Sequence, residues 1–480
     1  MASKSTVEIS VPSDIAAFMQ DIVSHVEDFQ KRALDETADF GAGEQTLMKL
    51  IAGLEGASVG AMLGALDPTA PYVEVGGKRY KRLKQRAENT YYAMRAEVVL
   101  NRHLYRDTSV RNGSTIVPLD LRAGIVEGRY TPAAAVGFAR LAQAMPSREA
   151  EATCESLSVL PYSRSSHFRV GDEIGTRWEE IRDGIEGGLA TEMALPEAAA
   201  AISVAVDRVS MPMAEPRPLT PADIDAGTKR PISVQFRMAF SAVWTIYDDE
   251  GTPLLAVRYA HIPKGGAEAV VQSLRRDLNA VLARRPHLKL VTLADGAPEM
   301  QAILDRVVAG HQVTAQFIDF WHCVEHLGKA TAVASPLVGD DHLGDWKAKL
   351  LANDDAIDGI EAELRKWALK YIVQPLSAIP DALYDALTYL ENNRQRMRYA
   401  TSHQAGLPIG SGSVEATGKT IVEVRMKRSG CRWTETGAQA LLGLRALATS
   451  ESKRWGAAMT PILVSYKHAV TQIHCATDKS

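Results

Sequence analysis

The sequence predicts an α/β protein: a mixed five-stranded sheet, interrupted by an all-helical insertion, with a mostly helical N-terminal region. Three observations predict it. Between Ala201 and Ile262 the apolar residues follow the two-residue period of strands, in three consecutive runs. From Ala267 to Phe320 helical and strand patterns alternate. From His322 to about Arg398 the chain is rich in Ala, Leu, Lys and Glu and reads as helical, with breaks.

A chain of 480 residues exceeds what one core normally supports, so two or more domains are expected. In residues 1–75, Ile15, Phe18, Met19, Ile22, Val23 and Val26, then Leu47, Leu50, Ile51 and Leu54, recur at helical spacing and predict two amphipathic helices. Residues 76–190 read as a DNA-binding region. It opens on a basic run, Lys78 to Arg86, set before a strand over Ala93–Tyr105. Three helices follow at Pro132–Met145, Ser147–Leu160 and Ser165–Ile185, a helix-turn-helix candidate.

The first part of the α/β core spans 200–322. Strands are predicted at Ala201–Met213, Ser233–Tyr247 and Thr252–Ile262, with Asp248 to Gly251 turning between the second and third. A helix at Ala267–Arg284, a strand at Leu288–Ala294, a helix at Pro298–Val308 and a strand at Thr314–Phe320 complete the order βββαβαβ. An antiparallel meander running into parallel crossovers is the RNase H-like order. The helical insertion occupies 323–405, with breaks at Pro336, Gly339 to Gly344, Pro375 and Pro380. The last part of the core, 406–456, carries helices over Val414–Met426 and Glu435–Lys453, and 457–480 reads as a tail.

No stretch approaches the run of about 20 apolar residues that a bilayer helix needs, and the first 30 residues show no signal peptide. Cys154, Cys323, Cys431 and Cys475 form no CxxC pair, which argues against a disulfide framework or a structural zinc and fits a reducing cytoplasm. The net charge of −4 leaves nucleic-acid binding to local basic surface.

Three carboxylates carry the chemistry. Asp207 interrupts the apolar strand Ile202–Val209, where an ionised group is costly unless paired or coordinated. The ordinary alternative is pairing with Arg208. Asp295 ends the strand Leu288–Ala294 before Gly296, at the carboxyl end where α/β sheets place ligands, although Asp-Gly also marks simple turns. Glu415 sits in the first turn of its helix, where an anion also stabilises the helix dipole. Gathered on one crevice, three acids would repel one another unless divalent cations intervened. Two Mg²⁺ ions about 4 Å apart, with Mn²⁺ as a substitute, would clamp an in-line phosphoryl displacement.

Together with the tail Ile409-Gly410-Ser411-Gly412-Ser413-Val414-Glu415 through Arg425 to Trp433, these residues resemble the DDE transposases of bacterial insertion sequences, the ISKra-type family in particular. The resemblance covers about Ala201 to Gly456. It implies Asp207, Asp295 and Glu415 as catalytic, metal-holding residues, and DNA strand cleavage and strand transfer at an element's terminal inverted repeats. It also implies synapsis by a homodimer or larger assembly in the bacterial cytoplasm, on the nucleoid when DNA-bound. Asp319 to His322 resembles the C/D-x-x-H motif of several transposase superfamilies, making Asp319 and His322 accessory candidates, with His322 either structural or in a direct catalytic or DNA-contact role. The N-terminal cysteine clusters of related proteins are missing, which sets aside a zinc-dependent DNA reader.

Lys78, Arg79, Lys81 and Arg82, with Arg398, Lys419, Arg425, Lys427, Arg428 and Arg432, are the expected DNA contacts. Each alone could be an ordinary solvated charge. Trp433 reads as a core anchor sooner than a base-stacking surface. Two other readings stay open: a non-catalytic, transposase-derived DNA-binding regulator, and an RNase H-like nuclease acting on hybrids or branched DNA.

Overall fold

The computed structural model describes residues 10–339, 342–373, 379–410 and 412–474; within these, the side chains of Leu337, Ile372, Val373, Ser413, Val414, Glu415 and Ser452 lie outside the described set. The chain divides into two compact units, Met1–Arg177 with Met459–Ser480, and Trp178–Ala458. Both are α/β, each built on a five-stranded sheet.

In the first unit, helices Ser13–Leu34 and Phe40–Leu66 pack on each other. The rings of Phe29 and Phe18 fill the space where side chains at Gly43 and Gly53 would otherwise stand. The Phe40–Leu66 helix corrects one expectation: by length and composition it is apolar enough to cross a bilayer. Its apolarity comes from Leu, Ile, Val, Met and Ala, its glycines permit close packing, and it lies against a strand through Val59 and Leu63, beside Tyr91 and Val98.

That strand belongs to a sheet where mostly helical structure was expected. The strands are β1 (Tyr72–Val75), β2 (Lys78–Tyr92), β3 (Glu97–Asp107) and β4 (Thr115–Ile116). The C-terminal strand Thr471–Ile473 pairs with β1, so the segment expected as a tail completes this sheet. The basic run does not precede the strand; it is β2, paired antiparallel with β3, and Ala93–Ala96 forms the turn between them. Its charges fall on both faces of the strand, which hides the alternation that normally marks one. The three helices expected downstream are present as Pro132–Ala144, Ser147–Leu157 and Arg164–Glu192.

The second unit holds β5 (Ala201–Pro216), β6 (Ile232–Tyr247), β7 (Pro253–His261), β8 (Lys289–Ala294) and β9 (Ala315–Ile318), in the order β7-β6-β5-β8-β9. Pairing is antiparallel among β5, β6 and β7 and parallel from β5 to β8 to β9. Side chains alternate between two cores. Ile202, Val204, Val206 and Leu290 pack under helices Gly266–Arg284 and Pro298–Val308. Ala201, Ala205, Val291, Leu293 and Phe317 face the insertion, including Trp346 and Trp367. Burying each large apolar side chain contributes roughly 1.5–3 kcal/mol, so both faces hold the sheet.

The insertion's helices are Phe320–Val338, His342–Ala352, Ala356–Val373 and Asp381–Asn393, then the short Ala400–Gln404. Pro336 does not break its helix but sits in the last turn, and Pro375 lies outside the described residues. Pro380 precedes the Asp381–Asn393 helix at its N-cap, as a break would.

Beside the β6–β7 edge lies a buried ionic network: Arg182 bonds Glu179 and Glu186, Arg276 bonds Glu186, and Arg454 approaches Asp277 at 3.5 Å. His261 is buried among these groups, its Nε2 3.4 Å from Arg182. Burial and the Arg182 and Arg276 charges hold its pKa well below the ordinary value, so the fold keeps it neutral. A depressed base binds protons more readily when unfolded, so its contribution to stability is full above about pH 6.5 and declines as pH falls. The urea midpoint is expected to fall between about pH 7 and pH 5.5, and His261→Gln should flatten that decline. An identical decline in the variant would mean that His261 does not contribute.

Candidate functional site

Sheet register determines where the two aspartates stand. β5 and β8 run parallel with Ala205 opposite Leu293, and each aspartate comes two residues further on, so Asp207 and Asp295 stand level at the carboxyl ends of adjacent strands. β8 and β9 continue the row: Ala294 is opposite Ile318, and the next residues are Asp295 and Asp319. By alternation Asp207 shares the face of Ala205, and Asp295 that of Leu293, which is the face covered by the insertion.

Asp207 is half-buried and takes a backbone hydrogen bond from Arg208 N at 2.6 Å. The Arg208 guanidinium pairs with Glu299, so the simple Asp–Arg pairing that could have explained Asp207 is not what the structure contains. Burial, with the Asp295 charge added, pushes the Asp207 carboxyl above its usual range, while the Arg208 N–H and His322 oppose the shift. Asp295 Oδ1 accepts from Ala297 N at 2.8 Å, closing the turn at Gly296. Gly296 has φ +99°, and a Cβ there would lie 2.8 Å from the Tyr389 ring, whose hydroxyl donates to the Asp295 carbonyl at 2.9 Å. The insertion thus buttresses this aspartate.

Asp319 is buried and caps the helix Phe320–Val338 by accepting from His322 N at 2.9 Å. His322 Nδ1 is 3.4 Å from the same carboxylate. That hydrogen bond raises the imidazole pKa, and the Asp295 and Asp207 charges add to it. The shift favours the protonated form of His322 beside both aspartates.

The third carboxylate arrives on helix Gly412–Thr417, which continues into a π-helix over Gly418–Glu423 and packs on β5 and β6. Glu415 lies in this helix, and its side chain is outside the described set. Three residues on, a Cβ at Gly418 would stand 2.8 Å from Val209, 3.6 Å from Asp207 Oδ2 and 3.6 Å from Ser241 Oγ. The helix backbone therefore meets the sheet at Asp207. π-Helical turns leave carbonyls out of the usual ladder. Here the buried Arg445 donates from Nε to Thr420 O at 2.9 Å and to Ile421 O at 3.0 Å. Burial, with Arg425 and Arg428 nearby, pulls the Arg445 pKa down to about 10. On the preceding turn Arg258 of β7 donates to Thr417 Oγ1 at 3.1 Å.

The expected DNA contacts are placed unevenly. Arg432 and Lys419 are exposed. Lys427 pairs with Glu423, and Arg428 donates to Val424 O. Arg398 lies 3.7 Å from Asp355. Arg425 is buried with its guanidinium 5.0 Å from the Trp433 ring centre, where it serves packing. Trp433 is itself buried, bonds Met426 O and bridges to Met213, as a core anchor does. In the first unit Lys78 and Lys81 are exposed, Arg79 stacks on Tyr72 at 4.1 Å, and Arg82 donates to the Thr69 carbonyl. Sequence reasoning missed Tyr389, Arg258 and Arg445, which act by holding backbone. No motif marks such residues, although Arg445 inside the apolar run Ala438–Leu447 was a visible anomaly.

Among the described residues no group of three His, Cys, Asp or Glu is close enough to hold a metal ion. The donors that converge are nonetheless hard oxygens, and no guanidinium pairs with Asp207 or Asp295 among the ion pairs found in the described residues. Two level carboxylates without a guanidinium partner would suit a divalent cation of the Mg²⁺ class.

Comparison with family models, curated proteins and solved structures finds no match.

Gly418→Ala tests the contact between helix and sheet. The added methyl must displace Val209, so the variant is expected to lose about 1–3 kcal/mol in urea unfolding. An unchanged midpoint would show that the helix does not press on β5.

Proposed function

We propose that the chain is a DDE-type transposase with an RNase H-like catalytic core, cutting and joining DNA at the ends of a mobile element. The observation that carries this reading is the level alignment of Asp207 and Asp295 on adjacent parallel strands, with the helix of Glu415 seated beside them. Strand order β7-β6-β5-β8-β9 with a helical insertion before the last helices supports it as well.

In this reading Asp207, Asp295 and Glu415 hold the ions. Two magnesium ions, when bound, supply activation of the attacking oxygen and stabilisation of the leaving oxygen in an in-line displacement. Asp207 and Asp295 contribute negative charge fixed by the sheet, so little reorganisation is needed when phosphate arrives. The Ala297 N–H and Tyr389 hold the Asp295 turn, and Arg258 and Arg445 hold the helix of Glu415. His322, whose protonated form Asp319 favours, would offset repulsion between the aspartates and a phosphodiester. Water or a 3′-hydroxyl is the nucleophile, and no covalent protein intermediate is required.

The test is cleavage of supercoiled DNA bearing the sequences that flank the chain's own gene, with Mg²⁺. Asp207→Asn, Asp295→Asn and Glu415→Gln should each reduce cleavage beyond the ~10- to 100-fold that losing a supporting partner costs, with folding retained. His322→Gln should fall within that smaller range. Full activity in either aspartate variant would refute the assignment, and sequence-specific binding without any metal-dependent cleavage would favour a regulator.

A further inference from the structure

The first unit's sheet carries a row of side chains whose two cations its own fold leaves uncompensated. Register places Tyr72 of β1 opposite Lys81 of β2, Lys81 opposite Arg106 of β3, and Arg106 opposite Thr115 of β4. Lys81 and Arg106 are exposed and directly opposed, a like-charge pair that destabilises a sheet. Neither has an ion-pair or hydrogen-bond partner among the described residues. Arg79, on the same face, is different: Glu74 stands opposite it and its guanidinium stacks on Tyr72. The row reads hydroxyl, ammonium, guanidinium, hydroxyl, all donors, over about 14 Å at the strand spacing of sheets.

From this arrangement we propose that the row Tyr72–Lys81–Arg106–Thr115 grips the phosphate backbone of duplex DNA. The proposal rests on the transposase reading, and it assigns backbone contact in the first unit to the sheet. The helices downstream are less suited: Ser147–Leu157 carries Glu149, Glu151 and Glu155 against Arg148 alone, and Arg169 at the start of the next helix is paired with Glu127. A row of phosphate donors brings no base-edge code, so it contributes affinity and register without sequence preference. Lys84 and Arg86, at the irregularity where the β2–β3 register shifts, extend the basic strand; Arg86 is already engaged by Asp67 and the Asn101 carbonyl. An anionic membrane surface is the other polyanion such charge could meet. The row offers no large aliphatic side chain to insert, which favours the nucleic acid.

The experiment is an anisotropy titration of the full chain, wild type and Lys81→Ala/Arg106→Ala, against two labelled duplexes, one from the gene's flank and one unrelated, at several salt concentrations. The double variant should bind both duplexes more weakly by a similar factor, and the slope of log affinity against log salt should shrink by about two. Lys81→Glu, which converts the like-charge pair to an opposite-charge one, should melt no lower than wild type yet bind DNA more weakly still. This separates a lost contact from a lost fold. If wild type binds DNA and both affinity and slope survive in the double variant, the proposal is wrong while the transposase reading stands. If wild type binds no duplex, both fall. Binding to phosphatidylserine vesicles in preference to DNA, lost in the double variant, would also overturn the proposal.

Discussion

The parallel pairing of β5 with β8 is the constraint on which the site depends. Its register, Ala205 to Leu293, is fixed because a slip of one residue would turn Ile202, Val204 and Val206 out of one core and into the other. Apolar packing on both faces therefore sets the separation of two acidic groups that contribute nothing to that packing. Since Asp207 and Asp295 lie just past the paired residues, they receive the precision of the sheet without its dryness, half-buried where the strands end. Burial, with the Asp295 charge added, holds the Asp207 carboxyl above its usual range, and a fold retains such a cost where function uses it.

Around this pair the molecule uses backbone contacts more than side-chain pairs. Tyr389 reaches back from the insertion to the Asp295 carbonyl, Asp319 begins a helix and holds His322, and Arg445 holds carbonyls of a π-helix next to Glu415. Each contact fixes the chain near an acid without neutralising that acid. The insertion is thus part of the site, although it enters the sequence as an interruption.

Much of the second unit was legible in the sequence because its strands are apolar runs buried on both faces, bounded by turn residues, and its helices carry one apolar stripe. The βββαβαβ order, the position of Asp295 at a strand end and the anchoring role of Trp433 all follow from period and composition. The first unit's sheet was not legible: β2 carries Lys or Arg at Lys78, Arg79, Lys81, Arg82, Lys84 and Arg86, so its alternation is of cations with cations. Its closing strand, Thr471–Ile473, is three residues long and its partner lies at the other end of the chain, beyond any local pattern. Helix Phe40–Leu66 is long and apolar because Leu, Ile, Val, Met and Ala are interspersed with only three charged residues. At the site, burial of Arg425 shows the limit of counting charges along a helix: direction decides whether a cation meets solvent or Trp433.

The most direct measurement is the position of Mn²⁺ by anomalous diffraction from crystals of the full chain bound to duplex DNA. The account predicts manganese held by Asp207, Asp295 and Glu415. Manganese bound elsewhere, or absent from Asp207 and Asp295 while DNA is in place, would contradict it.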